Sequence, residues 1–502
     1  LTERSWLLSP IASEKTSAQQ LVNPYSTAIW GFARSISAER ENSWGGIVDL
    51  DNSTSIEQQC KTIASLLTDN QWGNQLALRN NQTYRARLSP INFRPNDRTA
   101  KLEMRKESCY LITGGLGELG LQWAKWLASL GARRLILISR TELPPRSAWH
   151  STQHSSDILA KISTITEIEK VGAQVTVVSL DVSNELEFEY WLEEFHSQHP
   201  PIMGVIHTAG TVRRLGLEKL TQTQLKDDLE AKICGASVID RFFPAGQLDF
   251  LLLFSSASAA LPSAYLSSYA ASNAWLDGLA ARRKNLAGVT GEKIIAVQWG
   301  AFSDIGMMAR HDKALSSKGL RPDQGTQLTP LLFQLGEHET TSSVLVLSNT
   351  DDSISQISAL GENAYYDYLT LNQATTKTDL LTGLTNDENS KTGNSRLDNI
   401  DGSSLLSLSH DERISIIQQW LSTALSHVLM APGDSLDTNT SFAHYGLDSL
   451  MALTVKNSIV AAFKIPISIF DIQKFNNIGV LSSLIETLVL NSADQADEPS
   501  DN

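Results

Sequence analysis

Between Cys109 and Gln298, continuous apolar and β-branched runs recur, separated by stretches long enough for helices. Cys109–Thr113, Arg134–Ser139, Gln174–Leu180, Ile202–His207, Phe250–Phe254 and Lys293–Gln298 read as strands. They are apolar throughout rather than alternating, as expected of strands covered on both faces of a parallel sheet. Leu121–Leu130 reads as the helix after the first of them. Strand and helix in regular alternation predict an α/β fold with a doubly wound, Rossmann-like parallel sheet. Upstream, residues 1 to about 20 are polar and unpatterned, while 21–95 look folded. Ile29–Arg34 predicts a helix and Gly45–Leu50 a strand. Gln75–Arg79 and Tyr84–Leu88 predict a hairpin around Asn80-Asn81-Gln82.

Downstream the pattern changes. Residues 361–405 are rich in Thr, Asn, Asp, Ser and Gly and predict a flexible linker. Ser409-His410-Asp411-Glu412 is a capping-box pattern. Ile414, Ile417, Leu421, Leu425 and Val428 then mark one face of a helix. Helical stretches near 449–463 and 478–490 complete a small all-α bundle, and the acidic end from Asn491 is expected to fray.

A chain of 502 residues exceeds one ordinary core, and 41% apolar content suffices for several. A net charge of −14 argues against a nucleic-acid partner, which calls for a basic face. Cys60, Cys109 and Cys234 are scattered without metal-like spacing. They predict buried free thiols, no metal site, and a reducing, cytoplasmic compartment. No run of 18 apolar residues exists, so no membrane span is expected. The chain starts at Leu1 without Met or a signal peptide, and reads as a piece of a longer polypeptide.

Thr113-Gly114-Gly115-Leu116-Gly117-Glu118-Leu119-Gly120 follows a strand and opens a helix. Gly115, Gly117 and Gly120 form GxGxxG, which lets the backbone turn tightly and approach a pyrophosphate at a helix N-terminus. Thr113 and Leu116 belong to the same loop. The next strand ends in Ser139-Arg140. A carboxylate there would bind the ribose 2′-hydroxyl of NAD, whereas an arginine favours the 2′-phosphate of NADPH. A solvated arginine is the alternative. Asp181-Val182 closes a later strand, where the acid can meet an adenine amine or simply cap a turn.

Tyr269 and Asn273 stand four residues apart, Ser256 lies 13 before Tyr269, and Lys232 lies 24 before Ser256. A tyrosine can give its proton to a developing alkoxide. A nearby lysine cation is expected to lower the tyrosine pKa and stabilise charge. A serine hydroxyl can hold the carbonyl oxygen, and an asparagine can order a water or hold the lysine.

With these residues, the chain from about 20 to 360 resembles the ketoreductase domains of modular polyketide synthases, within the short-chain dehydrogenase/reductase superfamily. Most free-standing members carry lysine four residues after the tyrosine. Here that place is Asn273, and the lysine sits in Ala231-Lys232-Ile233-Cys234-Gly235. Phe254-Ser255-Ser256-Ala257-Ser258, Val297-Gln298-Trp299-Gly300 and Gly306-Met307 match further segments of that family. The resemblance gives Lys232, Ser256, Tyr269 and Asn273 the four active-site roles. It also makes Trp30-Gly31 and Gly46–Leu50 part of a non-catalytic structural subdomain. Two class markers are missing. The Leu-Asp-Asp fingerprint falls on Val212-Arg213-Arg214, and the tryptophan of the opposite class would fall near Leu261. A proline often found two residues after the tyrosine is Ala271. The arginines are read as surface charge, with attraction of a carrier phosphate as the alternative.

Phe442-Ala443-His444-Tyr445-Gly446-Leu447-Asp448-Ser449-Leu450 resembles the attachment motif of acyl carrier proteins. The resemblance implies a 4′-phosphopantetheine arm on Ser449, added by a phosphopantetheinyl transferase. Tethering would raise the local substrate concentration to roughly millimolar. The expected divisions are a linker and structural subdomain over 1–98, a catalytic subdomain over 99–360, a linker over 361–405, a carrier over 406–490 and a tail over 491–502. The implied reaction is NADPH-dependent reduction of a β-ketoacyl thioester, delivered by upstream ketosynthase and acyltransferase domains. An α-ketoacyl reductase of a peptide-synthetase-like module and a non-catalytic, carrier-presenting scaffold are the alternatives.

Overall fold

The structure is a computed structural model. It describes residues 5–10, 22–40, 43–50, 54–68, 75–79, 82–86, 102–151, 153–287, 291–303, 319–338, 342–348, 408–429, 436–442 and 449–494, with isolated positions besides. The expected linker (apart from Leu405), Met307 and Gly446-Leu447-Asp448 lie outside the described residues. The chain forms two compact units, residues 1–369 and 370–502.

The first unit contains two sheets. The smaller has the order β1 (Ser5–Pro10), β2 (Trp44–Leu50), β3 (Gln75–Arg79), β4 (Gln82–Arg85). The first three strands are parallel, and β3 and β4 form the expected hairpin with Arg79 opposite Gln82. The second strand of that hairpin starts two residues earlier than Tyr84. Ser5–Pro10, in the stretch read as unpatterned, is a strand against β2. Helices α1 (Pro24–Glu39) and α2 (Ile56–Thr68) accompany this sheet. Asn23 caps α1 by accepting from the Tyr25 amide, and Pro24 fits the first helical position.

The larger sheet is parallel throughout, with seven strands in the order β11-β10-β9-β8-β5-β6-β7. These are β5 (Cys109–Thr113), β6 (Arg134–Ser139), β7 (Gln174–Ser179), β8 (Ile202–His207), β9 (Phe250–Ser256), β10 (Lys293–Trp299) and β11 (Ser343–Val346). Six of them match the runs read from the sequence, while β11 was not anticipated. The central strands are buried along their length, which explains their unbroken apolar runs. Helices α3 (Glu118–Ser129), α4 (Ser156–Lys170), α5 (Glu185–Gln198), α6 (Gln222–Leu229), α7 (Gly235–Phe242), α8 (Ser267–Ala287) and α9 (Pro322–His338) connect or follow the strands. One core packs Trp123, Phe254, Phe302 and Phe333 on one face of the sheet. A second packs Phe188, Trp275 and Leu276 on the other. The strand order reverses between β5 and β8, which opens a crevice at their carboxyl ends.

Helices α1 and α8 join the two sheets' subdomains at close range. A Cβ on Gly31 would collide with the Ala270 carbonyl and lie 2.6 Å from the Ala274 Cβ. One on Gly278 would collide with the Thr27 hydroxyl and lie 2.8 Å from the Pro24 Cα. Glycine at both crossing points lets α1 approach α8 at nearly backbone contact.

The second unit is helical: α10 (His410–Leu429), α11 (Ser449–Phe463), α12 (Ile469–Lys474) and α13 (Ile478–Asp494). Ile417, Leu421 and Leu425 are buried with Phe442, Val455, Ile459, Ile472, Leu481 and Ile485, as the expected helix face requires. Ile414 is only half-buried. At the head of α10 the Glu412 carboxylate accepts from the Ser409 amide and hydroxyl, at 3.0 and 2.7 Å. Helix α13 continues to Asp494, past the expected fraying point at Asn491. Of the three free thiols only Cys109 is buried; Cys60 and Cys234 are exposed, contrary to expectation. Among the described residues no helix is long and apolar enough to cross a membrane, and no group of His, Cys, Asp and Glu could hold a metal ion.

Candidate active site

The glycine loop lies at the switch point. Gly114 is left-handed at φ 69°, and a Cβ there would lie 2.8 Å from the Ala209 amide nitrogen, across the crevice after β8. A Cβ on Gly115 would lie 2.7 Å from the Leu137 Cβ, and one on Gly120 would lie 2.8 Å from the Gly115 Cα. Gly117 caps α3 with no side-chain hydrogen bond to the first helical amides. The loop thus leaves a helix N-terminus uncapped beside tightly packed backbone, a cradle that fits a dinucleotide pyrophosphate.

Two loop residues have other duties than the sequence implied. Thr113 is fully buried; its Oγ1 is 2.7 Å from His207 Nδ1, and its carbonyl accepts from the Thr208 amide and hydroxyl at 3.1 and 2.7 Å. Leu116 packs its side chain into the core, leaving only its backbone for a ligand. Val182 is likewise core. Ser139 accepts from the Thr141 amide at 3.1 Å. Asp181 Oδ1 accepts from the amide and hydroxyl of Ser183 at 2.9 and 2.6 Å, so the turn-capping role is realised. Its Oδ2 lies 4.0 Å from Arg140 Nη1, an exposed and loose pair that leaves the guanidinium accessible.

Lys232, Ser256, Tyr269 and Asn273 come from three elements. Lys232 sits in a π-helical turn, Glu230–Cys234, between α6 and α7. The widened turn places its side chain inside the protein at 3% exposure. Gly210 makes room for it, since a Cβ there would lie 2.6 Å from Lys232 Cε. Ser256 ends β9, and its hydroxyl accepts from the Ser258 amide at 3.3 Å. Tyr269 and Asn273 lie one turn apart in α8, and Asn273 Nδ2 donates to the Tyr269 carbonyl at 2.7 Å. Asn273 Oδ1 is buried with no partner among the described atoms.

Burial pushes the Tyr269 pKa up from its ordinary 10, while the Ser256 hydroxyl and Asn273 amide act in the opposite direction. The phenol therefore keeps its proton at neutral pH. The net shift is upward, against the lowering expected from Lys232. Lys232 Nζ donates to the Phe254 carbonyl at 2.6 Å and lies 5.8 Å from the centroid of the Tyr269 ring. Burial lowers Lys232 to about 8, and Asp277 works against that shift. His207, which sequence reasoning missed, is fully buried and lowered to about 3 by burial and then by the Lys232 charge. It is neutral throughout the working range and cannot serve as the proton source.

The walls beside the tyrosine are tied to α1. Glu39 accepts from the Leu217 amide and the Tyr265 amide, each at 2.9 Å. Tyr265 is left-handed at φ 64°, and its carbonyl accepts from the Leu215 amide at 2.9 Å. A non-glycine residue holds that conformation only where its surroundings impose it. Arg34 reaches the Ala259 carbonyl, and Ser35 donates to the Ser263 carbonyl at 2.6 Å. Arg213 is a half-exposed charge that is also paired: its Nε lies 3.2 Å from Oδ1 of buried Asp228. Leu261 is half-buried and Ala271 is buried. No spacing rule points to Glu39 or Asp228. Gly210 carries a faint signal as a glycine just past a strand.

In the second unit, Ser449 is the first residue of α11.

Residues 108–304 match the KR domain, and residues 419–485 match the phosphopantetheine attachment site. The chain is 36% identical over 272 residues to 5-methyl-1-naphthoate synthase of Streptomyces sahachiroi, which covers 54% of this chain and 15% of that protein. It is 28% identical over 461 residues to a phenolphthiocerol/phthiocerol polyketide synthase of Mycobacterium tuberculosis, covering 90% of this chain and 22% of that one. It therefore spans less than a quarter of the length of these relatives. Among solved structures, the ketoreductase from the first module of phoslactomycin biosynthesis in Streptomyces sp. HK803 superposes with a TM-score of 0.59 at 27% identity, over 69% of this chain and 76% of that one. The chain therefore carries a KR domain joined to a phosphopantetheine attachment domain, and it is similar in sequence to polyketide synthases and in fold to their ketoreductases.

Proposed function

We propose that the chain reduces a β-ketoacyl thioester, carried on a 4′-phosphopantetheine arm of Ser449, to the β-hydroxyacyl thioester with NADPH. The observation that carries this reading is Tyr269, held protonated with Ser256 and Asn273 beside it. Gly115, Gly117, Gly120 and the Leu116 backbone would hold the pyrophosphate, and Arg140 the 2′-phosphate. When bound, the dinucleotide supplies hydride to the carbonyl carbon.

The residues of the chain do the rest. Ser256 donates a hydrogen bond to the ketone oxygen and orients it. Tyr269 gives its proton to that oxygen as charge develops there. The Lys232 ammonium, fixed by the Phe254 carbonyl, contributes positive charge to the pocket and adds to the burial that keeps His207 neutral. Asn273, with one unspent acceptor, orders a water that can return the proton. In the assembly line, ketosynthase and acyltransferase domains supply the thioester, and a phosphopantetheinyl transferase modifies Ser449.

Tyr269→Phe is the direct test. It removes only the proton donor, so kcat for a soluble β-ketoacyl thioester falls by about 10²-fold or more while NADPH binding persists. Full turnover in this variant would overturn the assignment.

A further inference from the structure

We propose that Asp228 is a positioning residue for Tyr269, and that Arg213 is the counter-charge that allows it to be buried there. The inference rests on the reductase reading above. Asp228 is the next-to-last residue of α6 and is 5% exposed. Ser268, the residue before Tyr269, donates its hydroxyl to Asp228 Oδ2 at 2.7 Å. Arg213 Nε lies 3.2 Å from Oδ1.

One carboxylate therefore ties three site-bearing segments together. Arg213 comes from the loop after β8, Asp228 leads into the π-helical turn that places Lys232, and Ser268 stands in the first turn of α8. The carboxylate sets the distance between the lysine and tyrosine segments through a short bond to the residue next to the phenol. A carboxylate this buried is tolerated only when paired. Removing the guanidinium leaves it uncompensated, and an aspartate at 213 would set two acids against each other. Residue 213 and residue 228 thus form one unit. Charge on the loop is transmitted to the phenol without touching substrate. Because a displacement of about 1 Å can cost about 10²-fold in rate, this link acts on kcat.

The test uses the full chain with NADPH and a short β-ketoacyl N-acetylcysteamine thioester, in four variants: Arg213→Gln, Arg213→Lys, Asp228→Asn and Arg213→Gln/Asp228→Asn. Amide hydrogen exchange across the first turn of α8 and calorimetric NADPH binding are read alongside. Arg213→Gln is expected to lower kcat on the order of tenfold or more, leave NADPH binding unchanged, and speed exchange at the start of α8. Arg213→Lys retains most of the rate. The double variant recovers most of it, because a neutral asparagine oxygen still accepts from Ser268 without needing a cation. Unchanged kcat in Arg213→Gln, or a double variant at least as impaired as that single one, overturns the proposal. If the unaltered chain consumes no NADPH, the reductase reading fails instead. The exchange data then decide this inference: faster exchange in Arg213→Gln that the double variant restores supports it, and any other pattern overturns it.

Discussion

Tyr269 and Lys232 occupy one site but titrate under different constraints. Burial raises Tyr269 above 10 and lowers Lys232 from 10.5 to about 8, each time favouring the neutral form. Loss of kcat/KM between pH 8 and 10 is therefore expected to come from Lys232, since the phenol keeps its proton over that range. Stability moves the other way. Between about 8 and 10.5 the unfolded chain holds a proton on Lys232 that the folded chain has released, so folding gains as pH rises. Melting temperatures of the wild-type protein and Lys232→Met, compared across this window, isolate the effect. The difference should shift in favour of wild type as pH rises, while the wild-type rate falls. A parallel decline of both would contradict the burial argument. Arg140 offers a second residue-scale prediction. Its loose pair with Asp181 leaves the guanidinium available, so Arg140→Ala should weaken NADPH binding about tenfold or more and spare NADH, read by calorimetry. The residue types of this site were legible in the sequence. Their partners were not: Lys232 donates to a carbonyl 22 residues away, at the end of a different element.

At the scale of elements, the approach of α1 to α8 matters most. Gly31 touches Ala270, the neighbour of Tyr269, so the structural subdomain bears on helix α8 within one residue of Tyr269. Gly31→Val should force the helices apart, with an overpacking cost of about 1–3 kcal/mol. A lower melting temperature together with a lower kcat is expected. A lower melting temperature with kcat untouched would show that α1 braces the fold without positioning the tyrosine. Helix α8 left little trace in the sequence. Ala270, Ala271, Ala274, Leu276 and Ala280 are buried around much of its circumference, so no single apolar stripe develops. The short β1 is hidden for another reason. Six residues ending in proline carry too little pattern to mark a strand until β2 lies beside them. By contrast, the buried strands of the larger sheet announced themselves, because burial on both faces demands unbroken apolar runs.

At the scale of the molecule, the two units have separate cores, one around the seven-stranded sheet and one among the carrier helices. Separate cores predict separable functions. Ser449→Ala should abolish the mass gain produced by a phosphopantetheinyl transferase with coenzyme A, while reduction of an untethered thioester continues at the wild-type rate. Intact-mass spectrometry and an NADPH assay on the same preparation check both halves. Loss of the untethered reaction would mean that the carrier serves the reductase in some way other than delivery.

Local sequence was enough to specify the alternation of strand and helix, the glycine loop after β5 and the helices of the second unit, and it supplied Lys232, Ser256, Tyr269 and Asn273 as candidates. Each is written in local periodicity or in spacings within a few elements. How these parts are held was settled by three-dimensional packing alone. It paired Arg213 with Asp228, spent Thr113 on His207, and brought Glu39 against amides 178 and 226 residues further along the chain. Such contacts join segments whose separation carries no period. They exist because burial forces each polar group to find a partner wherever packing has placed one.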